Sequence, residues 1–341
     1  MGIVVIYKKE ILFEHLKNFY KIENLDVWDT DKGMDNSVYF IGNFEKNEPL
    51  YVLKIIESKD KSIILNSIEI SKSLTEEFSG IKYIKSSSDN YLELIPNDNK
   101  FALLLSYIKG QEPVMDTTSQ IIKYSKLIAR FHNLNLLIQP SKLLLSIDKE
   151  FDLIKSYWNA DVQEGLKYHF PERYMLYTKV LEYFYNNKSY IYEILAKIPC
   201  RIGLTHNDLN TENIIEDENL CFHIIDFDSI DKNGFQLIDL LQAVSKSSIS
   251  HSPEKIKIFL STYYKKTSEK NYDLEAIFRS FINWLVVFSL RAMLSTDYYT
   301  FSIHKITPEW SKENAGKIFA KLEKSIKYNL DDCKKSDTQI S

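Results

Sequence analysis

"LTHNDLNTENII" fills residues 204–215, and "IIDFDSI" follows at 224–230. A His, three Asn, an Asp and a Glu stand between apolar flanks, and two further aspartates are set into an Ile-rich run. Carboxylates in apolar surroundings are costly unless they are paired or hold a cation. Asp208 and Asn213 are five positions apart in one loop-like segment, and Asp226 ends the apolar run "FHII". An amide oxygen together with carboxylates makes a hard-oxygen donor set that suits Mg²⁺. A further carboxylate kept off the metal can accept the proton of a hydroxyl. Phosphoryl transfer from ATP needs that division: one base at the nucleophile, and metal bridging the phosphates. An Asx-rich turn capping its own backbone would account for a lone H-x-D. The full H-x-D-x-x-x-x-N followed by an apolar strand ending in D-F-D points instead to a catalytic loop and a metal loop.

The rest of the chain is compatible with that chemistry. It has 341 residues, 44% hydrophobic and 26% charged, which is ordinary for a globular protein. The length suggests two lobes or domains. A net charge of -4 with both signs interspersed gives no sign of a nucleic-acid or membrane-surface partner. The three cysteines, Cys200, Cys221 and Cys333, are far apart, so neither a disulfide framework nor a zinc site is expected, and a cytoplasmic location fits. The opening "MGIVVIYKKE" has too short an apolar run for a signal peptide. "IFRSFINWLVVFSLRAM" (277–293) carries Arg279, Asn283 and Arg291 and reads as a buried helix, not a membrane span.

Pattern changes along the chain. "EILFEHLKNFY" (10–20) has helical spacing. Strand-like runs "NLDVWDT", "SVYFIGNF" and "LYVLKII" follow, separated by the turn-like "DKGMDN" and "EKNEP". A helical segment (62–78) precedes two more strand candidates, "YLELI" and "FALLLSYI". From about 113 to 200 the pattern is mostly helical, and it becomes so again from 234 to about 328. The expected fold class is α+β: a β-rich N-terminal lobe over 1–105, a connection over 106–112, a helical lobe over 113–330, and a frayed tail over 331–341. A small β-rich lobe joined to a larger helical one is expected to form a ligand cleft.

"HNDLNTEN" and "IIDFD" resemble the catalytic and metal-binding loops of the aminoglycoside phosphotransferase and choline kinase superfamily, which has a bilobal protein-kinase-like fold. The resemblance runs from about residue 25 to about 245. It implies an ATP- and Mg²⁺-dependent kinase with Asp208 as base and Asn213 and Asp226 as metal ligands. Asp228 would stand beside the metal or brace the loop. "DKGMDNSVYFI" (31–41) would be the nucleotide-positioning loop, through Gly33, Asn36, Ser37 and Tyr39, with backbone N–H groups cradling phosphate. Lys54, central in "YVLKII", would hold the α- and β-phosphates. Its expected partner is Glu69 of "SIEISKSL", with Glu76 and Glu77 as fallbacks. "ALLLSYIKGQEP" resembles the hinge, where backbone groups of Ser106 and Ile108 would bind adenine and Gly110 opens the second lobe. His132, His206 and Asp239 match positions that order the catalytic loop, and no chemistry is assigned to them.

Departures bear on the acceptor. There is no Lys between Asp208 and Asn213 and no A-P-E-like segment after "DFD", as a protein Ser/Thr kinase would have, so a small-molecule hydroxyl acceptor is expected. Asn207 stands where aminoglycoside kinases usually carry Gly, whereas choline-type kinases more often have "HND". Trp158, Trp284 and Trp310 could line a pocket for a cationic acceptor, although aromatics at helical spacing are more often core. The competing expectations are a catalytically silent kinase-like or spore-coat-type structural protein, and a protein kinase. The oligomeric state is left open.

Overall fold

The computed structural model describes residues 7–30, 37–57, 60–72, 74, 81–95, 98–134, 147–198, 201–267, 272–314 and 316–337. The chain divides into two compact units, one of residues 1–112 with 212–231, the other of 113–211 with 232–341. The "DFD" segment, expected within the helical lobe, therefore groups with the sheet.

The first unit is built on strand parity. Its strands are β1 (Asp26–Asp29), β2 (Ser37–Asn43), β3 (Glu48–Glu57), β4 (Tyr83–Ile84), β5 (Leu92–Leu94) and β6 (Lys100–Ser106). They form an antiparallel sheet in the order β1-β2-β3-β6-β4, with β5 also on β6. Alternate residues of a strand face opposite sides. Leu53, Ile55, Ala102 and Leu104 pack on one side with Leu12 and Leu16 from helix α1 (Lys9–His15) and the π-helical turn after it. Ile56, Leu103 and Leu105 pack on the other side with Ile64 and Ile68 of helix α2 (Lys61–Lys72). Lys54 shares the parity of Ile56, so its side chain belongs to the α2 face of a central strand.

A second, three-stranded sheet joins β7 (Gly110–Gln111) to the hairpin β9 (Ile214–Asp217) and β10 (Phe222–Ile224). Gly110 is required by close approach: a Cβ there would sit 2.4 Å from the Glu216 carbonyl oxygen.

The second unit is helical. Helix α3 (Thr118–His132) starts at a capping box in which Thr117 and Gln120 bond reciprocally. Helices α4 (Ile147–Tyr157), α5 (Ala160–His169), α6 (Pro171–Asn186) and α7 (Lys188–Leu195) follow. Asn159 caps α5, and Pro171 opens α6, where its missing N–H costs nothing. Strand β8 (Ile202–Thr205) pairs with β11 (Asp231–Phe235), ahead of α8 (Gln236–Ser245), α9 (Pro253–Lys266), α10 (Leu274–Phe301), α11 (Pro308–Asn314) and α12 (Gly316–Asp337).

Helix α10 is long and apolar enough to cross a membrane, but 78% of its most apolar window is buried inside the protein. It packs against α4, α5, α7, α8 and α12 as a core helix. Trp284 is buried there, and its indole N–H donates to the Leu195 carbonyl at 3.0 Å, a scaffold role. Helix α12 continues through Asp337, so most of the tail expected to fray is helical.

Candidate active site

In the second unit, the catalytic-loop motif is clamped by two side chains of α8. Asp239 is fully buried and accepts from the backbone N–H groups of His206 and Asn207, each at 2.8 Å. One turn later, Gln242 accepts from Leu209 N–H at 3.0 Å and donates to the Asn207 carbonyl at 2.7 Å. Residues three apart share a helix face, so the "D-x-x-Q" spacing of α8 reads out as a rigid backbone for 206–209.

Asn207 has φ 62, in the left-handed region. Gly, Asn and Asp reach that region at low cost, which accounts physically for an Asn at this position. Gly234 lets β11 approach closely, since a Cβ there would lie 1.9 Å from Thr205 Oγ1.

His132 lies under the loop as expected, fully buried. Its Nε2 is 3.0 Å from Asp239 Oδ2 and its Nδ1 is 2.7 Å from the Tyr263 hydroxyl. A carboxylate only accepts, so Nε2 carries the hydrogen and Nδ1 accepts from Tyr263. Burial pushes the imidazole pKa down against the pull of Asp239 and keeps the ring neutral. With both nitrogens bonded, the ring orients its neighbours.

Asp208 follows this anchored turn with a half-exposed carboxylate. Lys246, the residue capping the C-terminus of α8, approaches its Oδ1 at 3.3 Å, and the Asn210 side-chain amide donates to the same oxygen at 3.1 Å. Asp208 thus carries a salt bridge. A lysine absent from the loop itself is supplied from the end of the bracing helix.

The metal-loop residues belong to the first unit. Register pairs Ile214 with Ile224, and the Asn213 carbonyl accepts from Ile225 N–H at 2.9 Å. Asn213 and Asp226 therefore sit at the same end of the β9–β10 hairpin. Asp226 has φ 63, a left-handed turn that redirects the chain out of the strand.

Lys54 Nζ donates to Asp226 Oδ1 at 2.6 Å and to Asp228 Oδ2 at 2.8 Å. Its side chain is 9% exposed, against 40% for Asp226 and 23% for Asp228. Burial alone would lower the ammonium pKa, but the charges of Asp228 and Asp226 outweigh it and raise the value above that of an ordinary lysine. Burial raises the Asp228 pKa against the pull of Lys54, and the Asp226 charge adds to the rise.

The Lys54–Glu69 pair is corrected here. Glu69 is 68% exposed and bonds Lys72 at 3.3 Å. The buried face of α2 includes Ile64, Ser67, Ile68 and Ser71. Two residues from Ser67 is about 200° around a helix of 3.6 residues per turn, so Glu69 is turned to solvent. The fallbacks Glu76 and Glu77 lie outside the described residues, as do Gly33 and Asn36 of the expected phosphate loop.

Ser37 opens β2 opposite Ile55. Ser106 ends β6, where its N–H donates to the Lys82 carbonyl at 2.8 Å and its hydroxyl accepts from Lys82 N–H at 2.7 Å. Ile108 makes no main-chain hydrogen bond among the described residues. With Val52 and Ile225 it lies partly exposed over Leu103 and Leu105, an apolar surface flanked by unused backbone groups. Such a surface suits a flat heterocycle.

Asp226 and Asp228 turn one oxygen each onto the single cationic atom of Lys54, so this pair can share a cation. With Asn213 on the adjoining hairpin end, the donors are all hard oxygens and fit Mg²⁺.

No family model matches the chain, and no curated protein matches it. Solved structures do. The AMP complex of the spectinomycin phosphotransferase APH(9)-Ia superposes with a TM-score of 0.63 at 14% identity, covering 95% of this chain and 99% of that one. A microcompartment-associated aminopropanol kinase gives a TM-score of 0.61 at 15% identity over 94% and 96% of the two chains. A choline kinase from Cryptosporidium parvum Iowa II gives 0.57 at 15% identity over 97% of both. The chain therefore shares the kinase-like fold of these phosphotransferase and kinase structures.

Proposed function

We propose that this protein is an ATP- and Mg²⁺-dependent phosphotransferase that moves the γ-phosphate of ATP to a hydroxyl group of a small molecule. Asp208 accepts the hydroxyl proton as the acceptor oxygen bonds to phosphorus and the bond to the ADP oxygen breaks. Lys246 holds the Asp208 carboxylate and balances its charge. Lys54 binds the α- and β-phosphates, and the backbone groups of Ile108 and the carbonyl of Ser106, whose N–H is engaged by Lys82, meet the adenine. Asn213 and Asp226 would hold Mg²⁺, which would supply positive charge to offset that of the phosphates. The solved structures of similar fold include enzymes whose acceptors are spectinomycin, aminopropanol and choline. An acceptor of that class fits the missing A-P-E-like segment.

The observation that carries the reading is the buried Lys54 ammonium bound to two aspartates of one loop. A buried ion pair stabilises a fold poorly compared with apolar packing of the same volume. A purely structural, coat-type protein gains little from keeping it; a phosphate and metal site needs it.

The test is ATP turnover with Mg²⁺ and with EDTA, for wild type and Asp226→Ala. Wild type should turn over only with Mg²⁺, and Asp226→Ala should lose at least about 100-fold, the scale for a lost charge-stabilising group, with an unchanged circular dichroism spectrum. Equal Mg²⁺-dependent rates in the two proteins would refute the metal assignment. A wild type that binds nucleotide without turnover would favour the catalytically silent reading.

A further inference from the structure

Helix α2 contains a single acidic residue, Glu69, and that residue is turned to solvent and bonded to Lys72. Yet the ammonium of Lys54 is almost fully buried, and a buried charge needs a fixed partner. Its carboxylate partners among the described residues are Asp226 and Asp228.

The two are held differently. Asp226 is the more exposed and occupies the left-handed turn at the hairpin end beside Asn213. Asp228 lies deeper, in the 3₁₀ turn Phe227–Ser229. Its carbonyl accepts from the Ser67 hydroxyl of α2 at 3.0 Å, and Ser67 itself is buried on the helix face turned towards this turn. The helix thus contributes a neutral clamp on the loop where a carboxylate for the lysine was expected.

We propose that Asp228 is the positioning residue of Lys54: it is the lysine's standing counter-ion, anchored to α2 through Ser67, and it keeps the ammonium aimed at a nucleoside polyphosphate while Asp226 serves the cation. The inference rests on the reading that this site takes ATP. Its consequence is that lysine placement depends on the "DFD" loop and not on any carboxylate of α2. Asp228 then acts through Lys54 and needs no contact with the metal.

The experiment compares Asp228→Asn, Lys54→Met, the double variant and Glu69→Gln. Affinity for a fluorescent ADP analogue is measured in EDTA, so that no metal contact contributes, and melting temperature is measured without nucleotide. Asp228→Asn should weaken ADP binding by about 10- to 100-fold, the scale of a charged hydrogen bond, and by a factor similar to Lys54→Met. The double variant should be no worse than either single one, in affinity and in melting temperature alike. Glu69→Gln should match wild type in both. Wild-type affinity in Asp228→Asn, or losses that add fully in the double variant, would overturn the proposal. If wild type binds no ADP, the ATP reading falls by itself, and additivity in the melting temperatures still decides whether Asp228 holds Lys54.

Discussion

Asp239→Ala removes the carboxylate on which the catalytic loop hangs. Three donors lose their acceptor at once: the N–H groups of His206 and Asn207 and the Nε2–H of His132. An unsatisfied buried donor costs about 1–3 kcal/mol. His206 and His132 are fully buried and take the middle of that range, while Asn207, partly exposed, recovers a water and takes the low end. The sum is about 4–5 kcal/mol, a large fraction of the 5–15 kcal/mol typical of a folded domain. Asp239→Asn keeps one acceptor oxygen and should cost about half as much. Urea unfolding followed by far-UV circular dichroism measures the difference from the midpoint shift. Turnover should fall as well, because the left-handed Asn207 and the neighbouring Asp208 lose their anchor, whereas ADP affinity, which depends on residues of the other unit, should hold. A stability loss below about 1 kcal/mol with normal turnover would show that Gln242 alone fixes the loop and would refute the role given to Asp239.

Lys246→Met should lower turnover by about tenfold; Lys246→Arg should restore it, and an unchanged rate in Lys246→Met would exclude a role for the pairing. His15 is buried, neither ring nitrogen has a hydrogen-bond partner among the described residues, and burial lowers its pKa to about 4 against the opposing charge of Glu93. The unfolded chain then binds the extra proton between about pH 6.5 and 4, so stability should fall as pH drops through that window, by about 2 kcal/mol from pH 7 to pH 5. His15→Leu should abolish that component of the slope in urea titrations at the two pH values; a slope unchanged by the substitution would show that the ring is hydrated in the folded state.

The loops that carry Asp208, Asn213 and Asp226 could be read directly from the residues. Asp208, Asn213 and Asp226 announce themselves because spaced polar groups between apolar strands are otherwise costly. Asp239 and His132 were recognisable as scaffold, since an acid in the first turn of a helix and a histidine on an apolar helix face have ordinary structural uses. The partner of Lys54 was not legible. Ile68 and Ile70 flank Glu69 in sequence and suggest burial, but a helix turns about 100° per residue, and Ser67 rather than Glu69 is the polar residue on the face that matters. Lys246 carried no mark at all, because its meeting with Asp208 depends on where α8 ends. The two-residue strands β4 and β7 were equally hidden, being too short to show any alternation.

The decisive comparison is between wild type and Asp208→Asn for Mg²⁺-dependent transfer of ATP γ-phosphate to a panel of hydroxylated acceptors, including aminoglycosides, choline, ethanolamine and homoserine, with ADP affinity measured on the same samples. A base that takes the acceptor proton is worth about 10²–10⁴ in rate. Wild type should phosphorylate at least one acceptor of this class, and Asp208→Asn should lose that factor with its ADP affinity unchanged. Transfer by Asp208→Asn at the wild-type rate would contradict Asp208 as that base.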